Sequence, residues 1–186
     1  PITTTSFSGS INSVAINDLG EGLIGWSNGQ AAFVSYGQSS PTAILTDPQL
    51  VDITSVAINA GGEGLVGGIF SPMMPQSGYA AFVSFGNTTL NPINLGSITS
   101  NLIRSVAIND LGQGLIVGDN GYAAFVEPSS SSAQLIGLGT TNQLLSAAIN
   151  NFGQGLIGGD RFAAFVDINA PHLPPLLISL PVRMII

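Results

Sequence analysis

The chain has 186 residues, of which 45% are hydrophobic and only 7% charged, with no cysteine and a formal net charge of −7. That length suits one well-buried domain, while the charge content lies far below the roughly 25% of an average soluble protein. Its only Lys or Arg residues are Arg104, Arg161 and Arg183, so nucleic acid and anionic membrane surfaces find almost no counter-charge, and the lack of thiols excludes disulfides and thiolate metal sites.

In chain order, residues 1–10, PITTTSFSGS, have neither the basic start nor the apolar run of a leader. Residues 1–6 align instead with PINLGS at 92–97, a position that predicts an outer strand. A first repeat follows. SVAIND at 13–18 recurs as SVAINA at 55–60, SVAIND at 105–110 and SAAINN at 146–151, with starts separated by 42, 50 and 41 positions. Each copy continues through a Gly-containing turn and a Leu-Ile-Gly or similar run to Ala-Ala-Phe-Val. A period of about 40–45 residues matches a four-stranded propeller blade.

The segments are short, rich in Val, Ile and Phe, and interrupted by Gly, Asn, Asp and Pro, which reads as strands and excludes helices. In the first copy strand a covers 13–17, b 23–26, c 31–35 and d 42–45, with later d strands expected around 93–95, 134–138 and 176–180. The predicted fold is all-β, a small propeller of four four-stranded blades forming one domain over 1–186, with strand 1–6 closing the ring. Two segments, 1–6 and 176–180, compete for the outer place in the last blade, so a monomeric ring is the first expectation and a strand-exchanged dimer the second. Ala15, Gly25, Ala31 and Ala32 fit the crowded centre, and Ile16, Leu23 and Phe33 the wider space between blades. Asn17, Asn59, Asn109 and Asn150 each end strand a, where an amide can bond the following turn.

The succession SVAIND, LGEG, LIGW, NGQAAFV resembles the bacterial HAF-type repeat over about residues 10–170, and its rhythm is similar to WD-repeat blades without their His and Trp-Asp signatures. The resemblance implies a propeller and no particular chemistry. Scarce charge and abundant Gly, Ser, Thr and Asn also resemble secreted or cell-surface bacterial proteins.

The second copy carries a longer b–c connection, IFSPMMPQSG at 69–78. By analogy with WD blades, b–c and d–a loops open on one face, which makes Trp26, Phe70, Met73, Met74, Asp119, Asp160 and Arg161 the candidate binding face for a protein or glycan. No catalytic set, cofactor site or metal site is expected. Glu21 and Glu63 are replaced by Gln113 and Gln154 in the other copies, and His172 lies in a proline-rich turn without a nucleophile elbow. The glycine-rich turns lack the Gly-Lys-Ser/Thr helix start of phosphate loops. The expected function is therefore a non-enzymatic binding or structural module. The alternatives are a hydrolase or lyase at the channel mouth and an oligomerising repeat assembly.

Overall fold

A computed structural model of the chain describes residues 2–3, 6–71, 76–96, 101–170 and 175–178. Its strands form four antiparallel sheets of four, each built from consecutive strands. Blade 1 comprises β1 (Ile11–Ile16), β2 (Glu21–Trp26), β3 (Ala31–Ser35) and β4 (Thr42–Ile44). Blade 2 comprises β5 (Leu50–Ile58), β6 (Glu63–Phe70), β7 (Ser77–Ser84) and β8 (Asn91–Pro92). Blade 3 has β9 (Ile103–Ile108), β10 (Gly114–Gly118), β11 (Ala123–Val126) and β12 (Gln134–Leu135). Blade 4 has β13 (Leu144–Ile149), β14 (Gln154–Gly159), β15 (Phe162–Asp167) and β16 (Leu176–Leu177). The all-β, four-bladed, propeller-like architecture expected from the repeats is present.

Strand a begins earlier than the repeat motif because a bulge, between Ile11 and Ser13 in blade 1 and at matching places in the other blades, extends its pairing with strand b. Outer strands are shorter than expected. In blade 2 the outer strand is Asn91 and Pro92, with one further bond from the Ile93 N–H to the Ala80 carbonyl of β7, and a proline is tolerated there because it lies on an edge. Ile93 and Leu95, read as strand, instead bury their side chains between blades.

Each a–b hairpin turns on an asparagine and a glycine. Gly20, Gly62, Gly112 and Gly153 hold φ between 76° and 78°, a region a side chain resists. Asn59 Oδ1 accepts from the backbone N–H groups of Gly61 and Glu63, and the other three asparagines act alike, as the Asx-turn reading expected. The amide nitrogens add a link between blades: Asn17 Nδ2 donates to the Asn59 carbonyl, Asn59 to Asn109 and Asn109 to Asn150, at 2.9–3.0 Å.

The core lies between blades. Leu23, Ala31, Phe33 and Ile44 of blade 1 pack on Ile53, Val56 and Val83 of blade 2, and equivalent clusters join blade 2 to 3 and 3 to 4. Every joint meets knob to hole. A Cβ placed on Gly64 would sit 2.8 Å from Leu23 Cδ2, and one on Gly25 would sit 3.1 Å from Val56 Cγ1. Leucine of one blade thus fills the glycine gap of the next, which returns a valine into the first blade's own gap. Such close interlocking tolerates little change in volume. The third joint conserves volume by exchange, since Val117 and Ala147 occupy the places of Gly25 and Val56.

Residues 1–6 were expected to close the ring as the outer strand of the last blade. β16 holds that place instead, paired with β15, and the Thr3 N–H bonds the Ser39 carbonyl of blade 1. Asn94 bonds Ser131 in the following blade in the same manner, so the alignment of 1–6 with 92–97 is reflected in a contact with blade 1. Pro1, Thr4 and Thr5 lie outside the described residues.

Candidate functional site

Among the described residues three joints form, which leaves two blade faces over. On blade 1 the face that in blades 2, 3 and 4 receives the preceding blade is open at its inner strand. Val14 and Ile16 are each 66% exposed there, whereas Val56 and Val106 are 6% and 5% exposed. On blade 4 the opposite face is open. Leu156 and Phe165 are 40% and 47% exposed, while Leu23, Leu65 and Leu115 are fully buried and Phe33, Phe82 and Phe125 are at most 8% exposed. Ile16 was expected to fill space between blades beside Leu23 and Phe33. Strand alternation instead turns it to the other face, where blade 1 has no neighbour.

The blade 4 face holds a groove of about 630 Å³ lined by Ala148, Gly155, Leu156, Phe165 and Leu176, with Asn150 and Gln154 among its lining. Two polar groups there have no partner from a further blade among the described residues. Asn150 Nδ2 donates to Gln154 Oε1, without the carbonyl that Asn17, Asn59 and Asn109 reach among the described residues. Ser13, Ser55 and Ser105 accept the N–H of Val56, Val106 and Ala147 across their joints, a role that Ser146 lacks among the described residues. The blade 1 face carries the counterpart, a hollow of about 210 Å³ lined by Ile16, Gly22 and Val34 with Ile2 and Tyr36.

A second, polar cluster lies where b–c turns meet the starts of a strands. Arg104 Nε donates to Asp119 Oδ1 at 2.7 Å and its terminal nitrogen to Oδ2 at 3.0 Å, a two-pronged pair. The hydrogen bond to Asp119 raises the Arg104 pKa. Burial raises that of Asp52, opposed by the Asn12 amide and the Arg104 charge. The pair ties the β10–β11 turn to β9.

The described residues read from sequence as a binding face, Trp26, Phe70, Asp119, Asp160 and Arg161, sit at the b–c ends of four different blades. The b–c turns do share an end with the d–a connections, as Gly121 N–H to Asn142 O and Ser71 N–H to Gln49 O show. Two residues need correction. Trp26 is buried, stacked on Phe7 at 4.5 Å, because it replaces the glycines at 68, 118 and 159 and its ring turns inward. Asp119 is buried in the Arg104 pair. Phe70 stacks on Tyr79 at 6.1 Å, while Asp160 and Arg161 are exposed at the blade 4 turn. Met73, Met74 and His172 lie outside the described residues. Glu21 and Glu63 each accept from the turn asparagine of their own blade. Among the described residues no three His, Cys, Asp or Glu come together as a metal site, and no helix is long and apolar enough to cross a membrane.

The two end faces escaped the sequence reading because their residues repeat those of the core. No family model matches this chain, and no curated protein matches it in sequence.

Proposed function

We propose that this chain is a non-enzymatic structural and binding module that works through protein contact at the open face of blade 4. The observation that carries this reading is the exposure of Leu156 and Phe165 at positions buried in every other blade. Burying a large apolar side chain is worth about 1.5–3 kcal/mol, so a matching surface is rewarded there. Exposed apolar patches of this kind mark interaction sites. The partner is a protein surface of sheet type: the groove offers one aromatic ring and few convergent polar groups, too little to grip a glycan. The b–c face has less in its favour, since Trp26 and Asp119 are engaged inside.

A photo-crosslinking residue at position 165, compared with one at the exposed a–b turn residue Leu111, tests this in the source organism. The reading expects a discrete protein adduct, a second copy included, from 165 alone. Equal adducts from both positions, or none from 165, would contradict it.

A further inference from the structure

We infer that the partner of the blade 4 face is blade 1 of a second copy of this chain, two copies docking head to tail into one eight-bladed ring. The inference rests on the protein-contact reading above and names its partner. The two free faces match the partners in the three joints already formed. In those joints Leu23, Leu65 and Leu115 enter the gaps at Gly64, Gly114 and Gly155. The free leucine is Leu156 and the free gap is Gly22, which lines an unfilled hollow. In the first two joints Ile53 with Val56, and Ile103 with Val106, enter the gaps at Gly25 and Gly67, so Ile11 stands beside the free valine. The free valine is Val14, and the free gap is Gly158, where an added Cβ meets nothing within 4 Å.

The polar groups match too. Asn150 Nδ2 would donate to the Asn17 carbonyl, and Ser146 Oγ would accept the Val14 N–H, as the equivalent groups do in each internal joint. Asn151 meets Asp18 where Ala60 meets Asp110, an amide opposite a carboxylate, so no like charges face each other. The two faces differ, so each contact is heterologous and a closed ring of copies results if the rotation closes. Two copies give eight blades, at the upper end of the common range, whereas three would exceed it.

One detail sets a condition. Ile2 and Ile178 are both part-exposed and share the register of Ile93 and Ile136, which are buried between blades. A joint holds one such residue, so docking displaces the other, and shortening the chain by residues 1–3 strengthens the assembly.

Sedimentation velocity on the purified chain tests the inference. The expected mass is twice the 18.9 kDa of one chain. Gly158→Val, whose new methyl groups find open space within one copy, should weaken association about tenfold or more by overpacking against Val14. Adding Val14→Ala and Ile11→Leu, which recreates the Val117, Ala147 and Leu144 set of the third joint, should restore it. Val14→Asp and Leu156→Asp should each be monomeric, yet associate when mixed, because each keeps the face the other lacks. A monomeric wild type overturns the inference. If that monomer binds an apolar dye that Phe165→Asp abolishes, the protein-contact reading survives; if it binds none, both fall. Association by Val14→Asp alone would also overturn the inference, since it would join like faces. Circular dichroism melting confirms that each variant is folded.

Discussion

Replacing Asn59 and Asn150 separately by alanine measures what the link between blades contributes, because the two asparagines make the same turn and differ in one bond. Asn59 accepts the N–H groups of Gly61 and Glu63 at 3.0 and 2.8 Å, donates to Glu63 Oε2 at 2.9 Å and reaches the Asn109 carbonyl at 3.0 Å. It is buried, so alanine leaves polar groups without water. At about 1–3 kcal/mol for each buried group left unpaired, the loss comes to about 3–4 kcal/mol. Asn150 accepts Phe152 and Gln154 N–H groups at 3.0 Å and donates to Gln154 Oε1 at 3.0 Å, all of them exposed. Water replaces those bonds, and the expected loss is about 1 kcal/mol. A difference of about 2 kcal/mol in a chain of this length separates the melting temperatures by about 4–8 °C. Calorimetry and urea titration should be run in the Val14→Asp background, expected to be monomeric, where neither end face is covered. Equal losses for the two variants would refute the argument that the asparagine amides hold blade to blade.

Two further outcomes follow from single side chains. Trp26, the only tryptophan, should emit at short wavelength and resist quenching by iodide, and Phe7→Ala should shift its emission to the red; a spectrum typical of exposed indole would contradict the stacked placement. Burial and, secondarily, Asp47 push the Tyr79 pKa from the ordinary 10 up to about 12, and burial alone moves Tyr122 upward as well. The unfolded chain therefore loses these protons first, so stability is complete below about pH 10 and falls as the pH rises toward 12. Tyr79→Phe should flatten that decline in alkaline urea titrations, and an unchanged slope would rule the mechanism out.

Much of the fold was legible in the sequence because a blade needs the same solution each time. The turn asparagines, the positive-φ glycines and the Ala-Ala-Phe-Val strand recur because the same geometry demands them in every repeat. The site was not legible for the same reason. Leu156 and Phe165 are spelled like Leu23 and Phe33, and they are surface rather than core because, among the described residues, no blade packs on that face of blade 4. A closed monomeric ring was expected, and that assumption hid both end faces. Trp26 drew notice as a residue present once, but its singularity has a steric origin. A Cβ at Gly118 would lie 2.2 Å from the Leu102 carbonyl oxygen, and blade 1 alone has room for a ring there, beside Phe7. The exchange of Gly25 and Val56 for Val117 and Ala147 was the signal that could have identified which positions face across joints. Reading it requires knowing the register of one blade on the next, which sequence spacing does not supply.

The most direct test of head-to-tail docking is a disulfide between the two free faces. The chain has no cysteine, so Val14→Cys and Gly158→Cys form the only thiol pair, introduced together with Ile11→Leu, which makes room for a side chain at 158 as Leu144 does for Val117 in the third joint. In the first joint a Cβ at Gly25 would lie 3.1 Å from Val56 Cγ1, the place a cysteine sulfur would take, so a Cβ–S–S link can span the two positions. Mild oxidation followed by denaturing electrophoresis without reductant should give one band at the mass of two chains, abolished by reductant and absent from either single-cysteine variant. A cross-linked monomer, which would mean that blade 4 closes on blade 1 of its own chain, or no cross-link at all, would contradict the account.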